Sequence, residues 1–589
     1  MPNRRELLRF AGATPFLRMR NASASYARPG HASWPSPSQW AALDRRVEGR
    51  LIEAHSPLEL CANDSDNAAC RALFARLKNP YYVRDEPALT QTLGWIDAWT
   101  SAPSPYAIAA TKPAHVVAAV DFARTHRVRL AVRGGGHSYQ GTSNAPDSLL
   151  VWTRYMDGIG LHDAFVPRGC ERVGPPAPAV SIGAGAIWMH AYEAVTTKAG
   201  RYVQGGGCAT VGVAGLVQSG GFGSFSKNFG IAAAGLLEAE VVTADGAIRV
   251  VNACRHPDLF WALRGGGGAT YGIVTRLTLR THELPTYFGG AFGTIEATSD
   301  TAFRELISRF LAFYRERLFN AHWGEQVTFS PARQLRIAMV FQGLDRRQAM
   351  QVFDPFVASI KREPQSFAIR EPLAIAAIPA RNFWDPAFLR ARYPSLVVPD
   401  DREGASPDDI LWRGDQHQVA QYLHGYTSTW LPASLLREDA HGRLVDALLA
   451  AARHWSVDLH FSKGLAGAPA DAIDAAKRTA MNPAVLDAFA LAIVSGGEPP
   501  AYPGIFGHAP DVRRAREDAQ RIQAATAQLR RNVPDPGSYL SESDYFESDW
   551  QRVVFGRHYA RLRAIKARYD PHGLFTVHHG VGSDRMPTT

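Results

Sequence analysis

The chain has 589 residues, 46% hydrophobic and 20% charged, and at roughly 150 residues per domain it must fold as several units, each with its own core. That balance excludes a disordered or fibrous chain, and no uninterrupted apolar run reaches the roughly 18 residues that a membrane span needs. The net charge of +9 is spread without long like-charge runs, so it describes a solvated basic surface and not the clustered stripe of a nucleic-acid binder.

Residues 1–33 fit two readings. Arg4-Arg5 precede Leu7, Leu8 and Phe10, and Ala22-Ser23-Ala24 offers a small-residue cleavage site, the pattern of a twin-arginine export signal, although Arg9, Pro15, Arg18 and Arg20 interrupt its apolar region. The other reading is a disordered basic N-terminus on a cytoplasmic protein. Residues 34–101 mix short helical patterns with loops and form an N-terminal extension, closed by Pro103 and Pro105. Next, residues 113–128 carry Val116, Val117, Val120 and Ala123 at helical spacing, and Leu130-Ala131-Val132 reads as a buried strand running into Gly134-Gly135-Gly136. Strands are predicted over 149–151 and 180–182, a helix over 186–198, a hairpin over 236–250 around Asp245-Gly246, and an alternating strand over 273–280. Past residue 284 the glycines thin out. Helical patterns over 301–315, 440–453 and 512–529 alternate there with strands over 335–341 and 457–461, a second α/β domain that is mainly antiparallel. Residues 550–570 predict one helix closed by Pro571, with an extended tail through His579.

Glycine placement carries the chemistry. Runs at 134–136, 205–207, 220–223 and 265–268 fall in one domain-sized stretch, each beside a strand or helix. Glycine lets backbone N–H groups approach a ligand closely, and several such loops suit the pyrophosphate of an anionic cofactor. No G-x-G-x-x-G opens a helix after a strand in these runs and no G-x-x-x-x-G-K-[ST] occurs, which disfavours a Rossmann dehydrogenase or a P-loop ATPase. His137 follows the first run and Cys208 the second. An imidazole and a thiol are nucleophiles able to bond to an electrophilic ring.

These segments resemble a known family. Arg133-Gly134-Gly135-Gly136-His137-Ser138-Tyr139, the stretch from Gly207-Cys208 through Val211, Gly212 and Gly215, and Gly220-Gly221-Phe222-Gly223 are similar to the flavin-binding signatures of the berberine bridge enzyme-like oxidases, in the vanillyl-alcohol oxidase/PCMH-type superfamily. Asp258 to Gly268, Tyr271-Gly272-Ile273-Val274 and the C-terminal Tyr569-Asp570-Pro571-His572-Gly573-Leu574-Phe575 extend the match. The resemblance implies an α+β fold: a two-subdomain PCMH-type FAD domain over 102–283, an inserted antiparallel-sheet substrate domain over 284–536, and a C-terminal segment over 537–585 that returns to the FAD domain. It implies FAD held covalently, with His137 on the 8α-methyl and Cys208 on C6. It assigns cofactor contacts to Arg133, Gly134, Gly135, Gly136, Ser138, Gly207, Val211, Gly212, Gly215, Gly221, Gly223, Gly272 and Ile273.

Plant relatives carry Tyr-x-Asn-Tyr near the C-terminus, the second tyrosine helping to deprotonate the substrate. Here the stretch is Ser538-Tyr539-Leu540-Ser541-Glu542, so Glu542 stands in the place of that tyrosine and becomes the candidate base, with Tyr539 packing against the flavin edge. His460 is the alternative base if residues 457–463 form a strand with Asp458, His460 and Ser462 on one face. No H-E-x-x-H or CxxC constellation occurs, and no metal is expected. Five cysteines leave at least one unpaired. Cys208 is the one of interest, and Cys61 with Cys70 can close a short-loop disulfide if the chain is exported. The expected activity is hydride transfer from an organic alcohol or amine-type small molecule, with O2 reduced to H2O2. The rivals are a dehydrogenase using another acceptor and a flavin-loaded binding protein without turnover.

Overall fold

The computed structural model describes residues 26–585. The possible signal, including Arg4-Arg5, lies almost wholly outside them. A first sheet has the order Leu51–Glu53, Tyr106–Ala109, Ser148–Trp152, Arg129–Arg133, its last three strands parallel. The helix Pro113–His126 makes the crossover, burying Val116, Ala119, Val120 and Ala123, and ends at Arg127 with φ of 55°. Trp40 of the helix Pro37–Arg46 stacks on Tyr106 at 4.1 Å.

The second sheet is antiparallel: Ile248–Asn252, Leu236–Val242, Ile273–Glu283, Ala177–Gly183 and Ile159–Phe165, with Arg201–Val203 added at the far end of the long strand. The hairpin at Asp245-Gly246 is there, because Gly246 takes φ of 81° and the Asp245 carboxylate accepts the Ala247 N–H. The helix expected over 186–198 starts at Trp188, and its second half, Glu193–Lys198, widens to π geometry.

Nine strands form the third sheet, in the order Phe367–Pro379, Tyr287–Ala297, Gln334–Gln342, Trp323–Phe329, Val457–His460, Ala488–Glu498, Gln421–Pro432, Thr92–Trp95, Trp99–Thr100. Helices Asp300–Phe313, Glu438–Ala452 and Val512–Arg530 share one core with it. Ser299 and Asp511 cap two of them through the Ala302 and Arg514 N–H groups. Phe303, Leu306, Ile307 and Phe310 are each at most 2% exposed, and every such side chain contributes about 1.5–3 kcal/mol.

Three expectations need correction. Residues 34–101 are not a separate extension: Leu51–Glu53 joins the first sheet, while Thr92–Trp95 pairs in parallel with Gln421–Pro432 of the inserted sheet. A four-residue strand with a glycine inside it shows no periodicity. The predicted helix over 550–570 breaks at Gly556 (φ of 54°) into Trp550–Phe555 and Tyr559–Tyr569. The tail after Pro571 is turned, because the Asp570 carboxylate accepts the Leu574 and Phe575 N–H groups at 2.8 Å. The same carboxylate pairs with Lys566, whose ammonium also donates to the Thr270 carbonyl at 2.6 Å, so a buried ion pair fastens the C-terminal segment to the FAD domain.

Cys61–Cys70 is a disulfide, and Cys170–Cys254 is a second one across a separation of 84 residues; Cys208 is free. Among the described residues no helix is long and apolar enough to cross a membrane, and no group of three or more His, Cys, Asp or Glu side chains is placed to hold a metal.

Candidate functional site

The strand Arg129–Arg133 delivers its chain into Gly134-Gly135-Gly136, and the fit of Gly135 decides what His137 meets. A Cβ on Gly135 would stand 2.4 Å from the Gly212 nitrogen and 2.9 Å from the Thr210 carbonyl oxygen, so only glycine lets the two loops touch. Across that contact the His137 Nε2 lies 3.0 Å from the Thr210 hydroxyl, leaving Nδ1 as the ring nitrogen outside the bond. Burial drives the His137 pKa down to about 4, and the imidazole is neutral, as a nucleophile must be.

The second loop, Gly205 to Cys208, packs on Trp188 and on the Gly220–Gly223 turn. A Cβ on Gly205 would enter the Trp188 ring at 2.1 Å, and one on Gly223 would meet the Gly205 carbonyl at the same distance. Cys208 thereby sits in the same joined pair of loops as His137. Its neighbours come from the inserted domain: Asp415 accepts the Ala209 N–H at 2.9 Å, and the Gln418 side-chain nitrogen lies 3.9 Å from the sulfur. Burial, then the Asp415 and Glu325 carboxylates, push the Cys208 thiol well up. Burial also lifts the Asp415 carboxyl, to about 6. Glu325 holds φ of 59° inside a strand, a conformation side chains rarely adopt, and its Oε1 lies 3.7 Å from where a Gly207 Cβ would be.

Opposite these loops the C-terminal segment and the inserted sheet meet. Glu542 Oε1 accepts from Lys463 Nζ at 2.5 Å, while its Oε2 is buried without a partner; so is Nδ1 of His460. Burial and the Lys463 charge hold the His460 imidazole well below its usual range. Tyr139 stacks on Tyr426 at 4.7 Å, and burial followed by nearby charge, that of Glu542 included, pushes both hydroxyls far up. Tyr539 meets Phe222 edge-on at 5.1 Å, tying the C-terminal segment to the third glycine loop.

The residues fit a flavin dinucleotide. A Cβ on Gly215 would meet nothing within 4 Å, and one on Gly268 would just touch the Gly215 Cα at 3.9 Å, so there is open room beside Gly215. The buried Gln218 Oε1 nearby has no partner. Several of the expected contact residues have their side chains engaged within the protein. The Arg133 guanidinium donates to the Glu86 and Leu89 carbonyls, clamping residues 86–89, and offers no charge to a ligand. Ser138 accepts the Thr142 N–H and hydroxyl as a turn brace. The Ile273 side chain is in the hydrophobic core, and Gly272 is pressed against the Val242 carbonyl. The strand bearing His460 ends there, and Ser462 falls in a 3-10 turn.

Sequence reasoning missed Asp415, Gln418 and Glu325, and gave Lys463 no role. Asp415 and Gln418 lie in Arg413–Gln418, a turn with no pattern to mark it, and they reach a loop more than 200 residues away.

Comparison with known proteins agrees with this geometry. Residues 104–252 match the FAD binding domain family, and residues 538–582 match the berberine and berberine-like family. The chain is 27% identical to the VAO-type flavoprotein oxidase VAO615 of Thermothelomyces thermophilus, over 94% of this chain and 92% of that one. It is 28% identical to the FAD-linked oxidoreductase notD' of Aspergillus versicolor, covering 95% and 88%. Among solved structures it resembles a VAO-type flavoprotein of Myceliophthora thermophila C1, with TM-score 0.76, 24% identity and coverage of 95% and 97%. Another is the glucooligosaccharide oxidase of Acremonium strictum, described with 6-S-cysteinyl, 8α-N1-histidyl FAD, with TM-score 0.60, 18% identity and coverage of 90% and 99%. The chain thus carries an FAD binding domain and a berberine-like C-terminal domain, and along nearly its whole length it resembles FAD-linked oxidoreductases.

Proposed function

We propose that the protein is an oxidase of an organic alcohol or amine, with FAD tethered through His137 and Cys208 and with Glu542 as the catalytic base. FAD held by these residues would supply a two-electron acceptor for the substrate's hydride and a route for those electrons to dioxygen, with hydrogen peroxide as the product. The observation that carries the reading is the Glu542–Lys463 pair. Lys463 fixes one carboxylate oxygen, and the other, Oε2, is buried with nothing to accept from. A substrate O–H or N–H satisfies that oxygen, and its proton moves there as hydride leaves. The unpartnered His460 Nδ1 supports a second contact to the same substrate group, and makes His460 the base if Glu542 proves dispensable. The stacked Tyr139 and Tyr426, whose hydroxyls feel the Glu542 charge, offer aromatic faces suited to a sugar or an arene.

Peroxide release from a panel of sugars, phenols and amines tests the reading. Turnover with an artificial acceptor but none with dioxygen would make it a dehydrogenase, and silence with every acceptor a binding protein. Acid precipitation tests the tethers, since covalent flavin stays with the pellet. Two disulfides among the described residues support work in an oxidising compartment and hence export, which fractionation of the producing cell tests.

A further inference from the structure

Cys208 lies in surroundings that oppose its ionisation. It is half-buried and faces carboxylates, so at neutral pH it is a thiol, whereas only a thiolate attacks an electrophilic ring. A thiol so placed needs a base within reach, and one turn of the inserted domain supplies it.

We propose that Asp415 is the base that takes the Cys208 proton when the sulfur bonds to the flavin, and that Gln418 steadies the sulfur during that step. The proposal rests on the two-tether reading above. Arg413–Gln418 is a single 3-10 turn, and it places both side chains against one loop. Asp415 accepts the N–H of Ala209, the peptide directly after Cys208, at 2.9 Å, which pins its carboxylate beside the thiol. Gln418 Nε2 stands 3.9 Å from Sγ and points a donor at the charge that develops there. A carboxyl raised to about 6 is still ionised at neutral pH, yet it takes a proton more readily than an ordinary aspartate. The competing groups are engaged: His137 with Thr210, and Glu542 with Lys463. Glu325, the other carboxylate near the loop, sits on the Gly207 side.

The step balances. The S–H bond breaks and its proton goes to Asp415; the bond from sulfur to ring carbon C6 forms; the hydrogen on C6 leaves as a proton. The sulfur and the ring carbon together give up two electrons, which dioxygen takes to become hydrogen peroxide, so the modification needs only the oxidant that the proposed activity already uses. Asp415 thus belongs to the maturation of the protein, with turnover left to Glu542.

The test is purification of wild type, Asp415→Asn, Asp415→Glu, Gln418→Ala and Cys208→Ala, followed by denaturation, alkylation with iodoacetamide and peptide mapping. Wild type yields almost no alkylated Cys208. Asp415→Asn forms the bond about 100-fold more slowly, the loss typical of removing a general base, so that most Cys208 is alkylated while the flavin stays on the protein through His137 and the visible spectrum matches that of Cys208→Ala. Asp415→Glu restores protection, and Gln418→Ala shows an intermediate fraction. Melting temperature and flavin content near wild type establish that the variants fold. Cys208 blocked in Asp415→Asn as fully as in wild type overturns the role of Asp415 alone. Free Cys208 in flavin-loaded wild type overturns the two-tether reading, and this proposal with it.

Discussion

Gly135→Ala isolates the contact on which the site is built. The added methyl would lie 2.4 Å from the Gly212 nitrogen, 2.9 Å from the Thr210 oxygen and 3.0 Å from the Gly212 Cα. All three are backbone atoms, so no side chain can swing aside. Ordinary contact begins at 3.4 Å, and the loops must part by about 1 Å to reach it. The His137–Thr210 bond, 3.0 Å long, spans the same gap and is carried beyond hydrogen-bonding distance. Overpacking of this size costs about 1–3 kcal/mol, and the chain still folds. Bond formation suffers more, since a displacement of about 1 Å at reacting atoms costs about 100-fold in rate. The cleanest assay uses a Cys208→Ala background, where His137 is the only tether: precipitate in acid and measure the flavin that pellets. Gly135→Ala releases most of it to the supernatant and lowers the melting temperature by a few degrees. A double variant with as much pelleted flavin and the same melting temperature as Cys208→Ala refutes the argument.

Glu542→Gln keeps the shape and removes the base, and kcat falls about 10²- to 10⁴-fold with flavin content unchanged; Tyr539→Phe, which loses no proton acceptor, changes kcat far less. Lys227 is buried, with its ammonium donating to the carbonyls of Gly464, Ala466 and Phe489, and burial lowers its pKa to about 7. Between that value and the 10.5 of the free side chain the unfolded chain holds the extra proton, so stability rises with pH across this window, by at most about 1.4 kcal/mol per unit; Lys227→Met flattens the slope in urea titrations at pH 7 to 10. By loop-closure entropy the Cys170–Cys254 bridge, with 84 residues of separation, contributes about 4.6 kcal/mol, and Cys61–Cys70, with 9, about 2.6 kcal/mol. Paired serine replacements compared by calorimetry give the larger loss for the former.

What could be read from the sequence was local. Glycine runs beside strands marked the loops that pack against one another, because a close backbone approach demands glycine at the point of contact. The hairpin at Asp245-Gly246 and the long helices followed from turn chemistry and apolar spacing. Partnerships made only in three dimensions were hidden. Cys170 and Cys254 are separated by most of the second sheet, and Lys463 and Glu542 by 79 residues, with nothing between them to mark the pairing. Asp415 sits in a short turn whose side chains look like any solvated stretch. The sequence was equally silent on Arg133: it stands in a flavin-loop motif, yet its guanidinium donates to the Glu86 and Leu89 carbonyls.

The strand Thr92–Trp95 has a consequence for how the chain is made. It emerges from the ribosome more than 300 residues before Gln421–Pro432, the partner beside which it lies. Until then its only sheet partner is the short strand Trp99–Thr100, and a truncated chain starting at residue 102 would uncover the sheet edge at Gln421–Leu423, an invitation to self-association. Deleting what looks like a dispensable leader would therefore yield insoluble protein for reasons unrelated to catalysis.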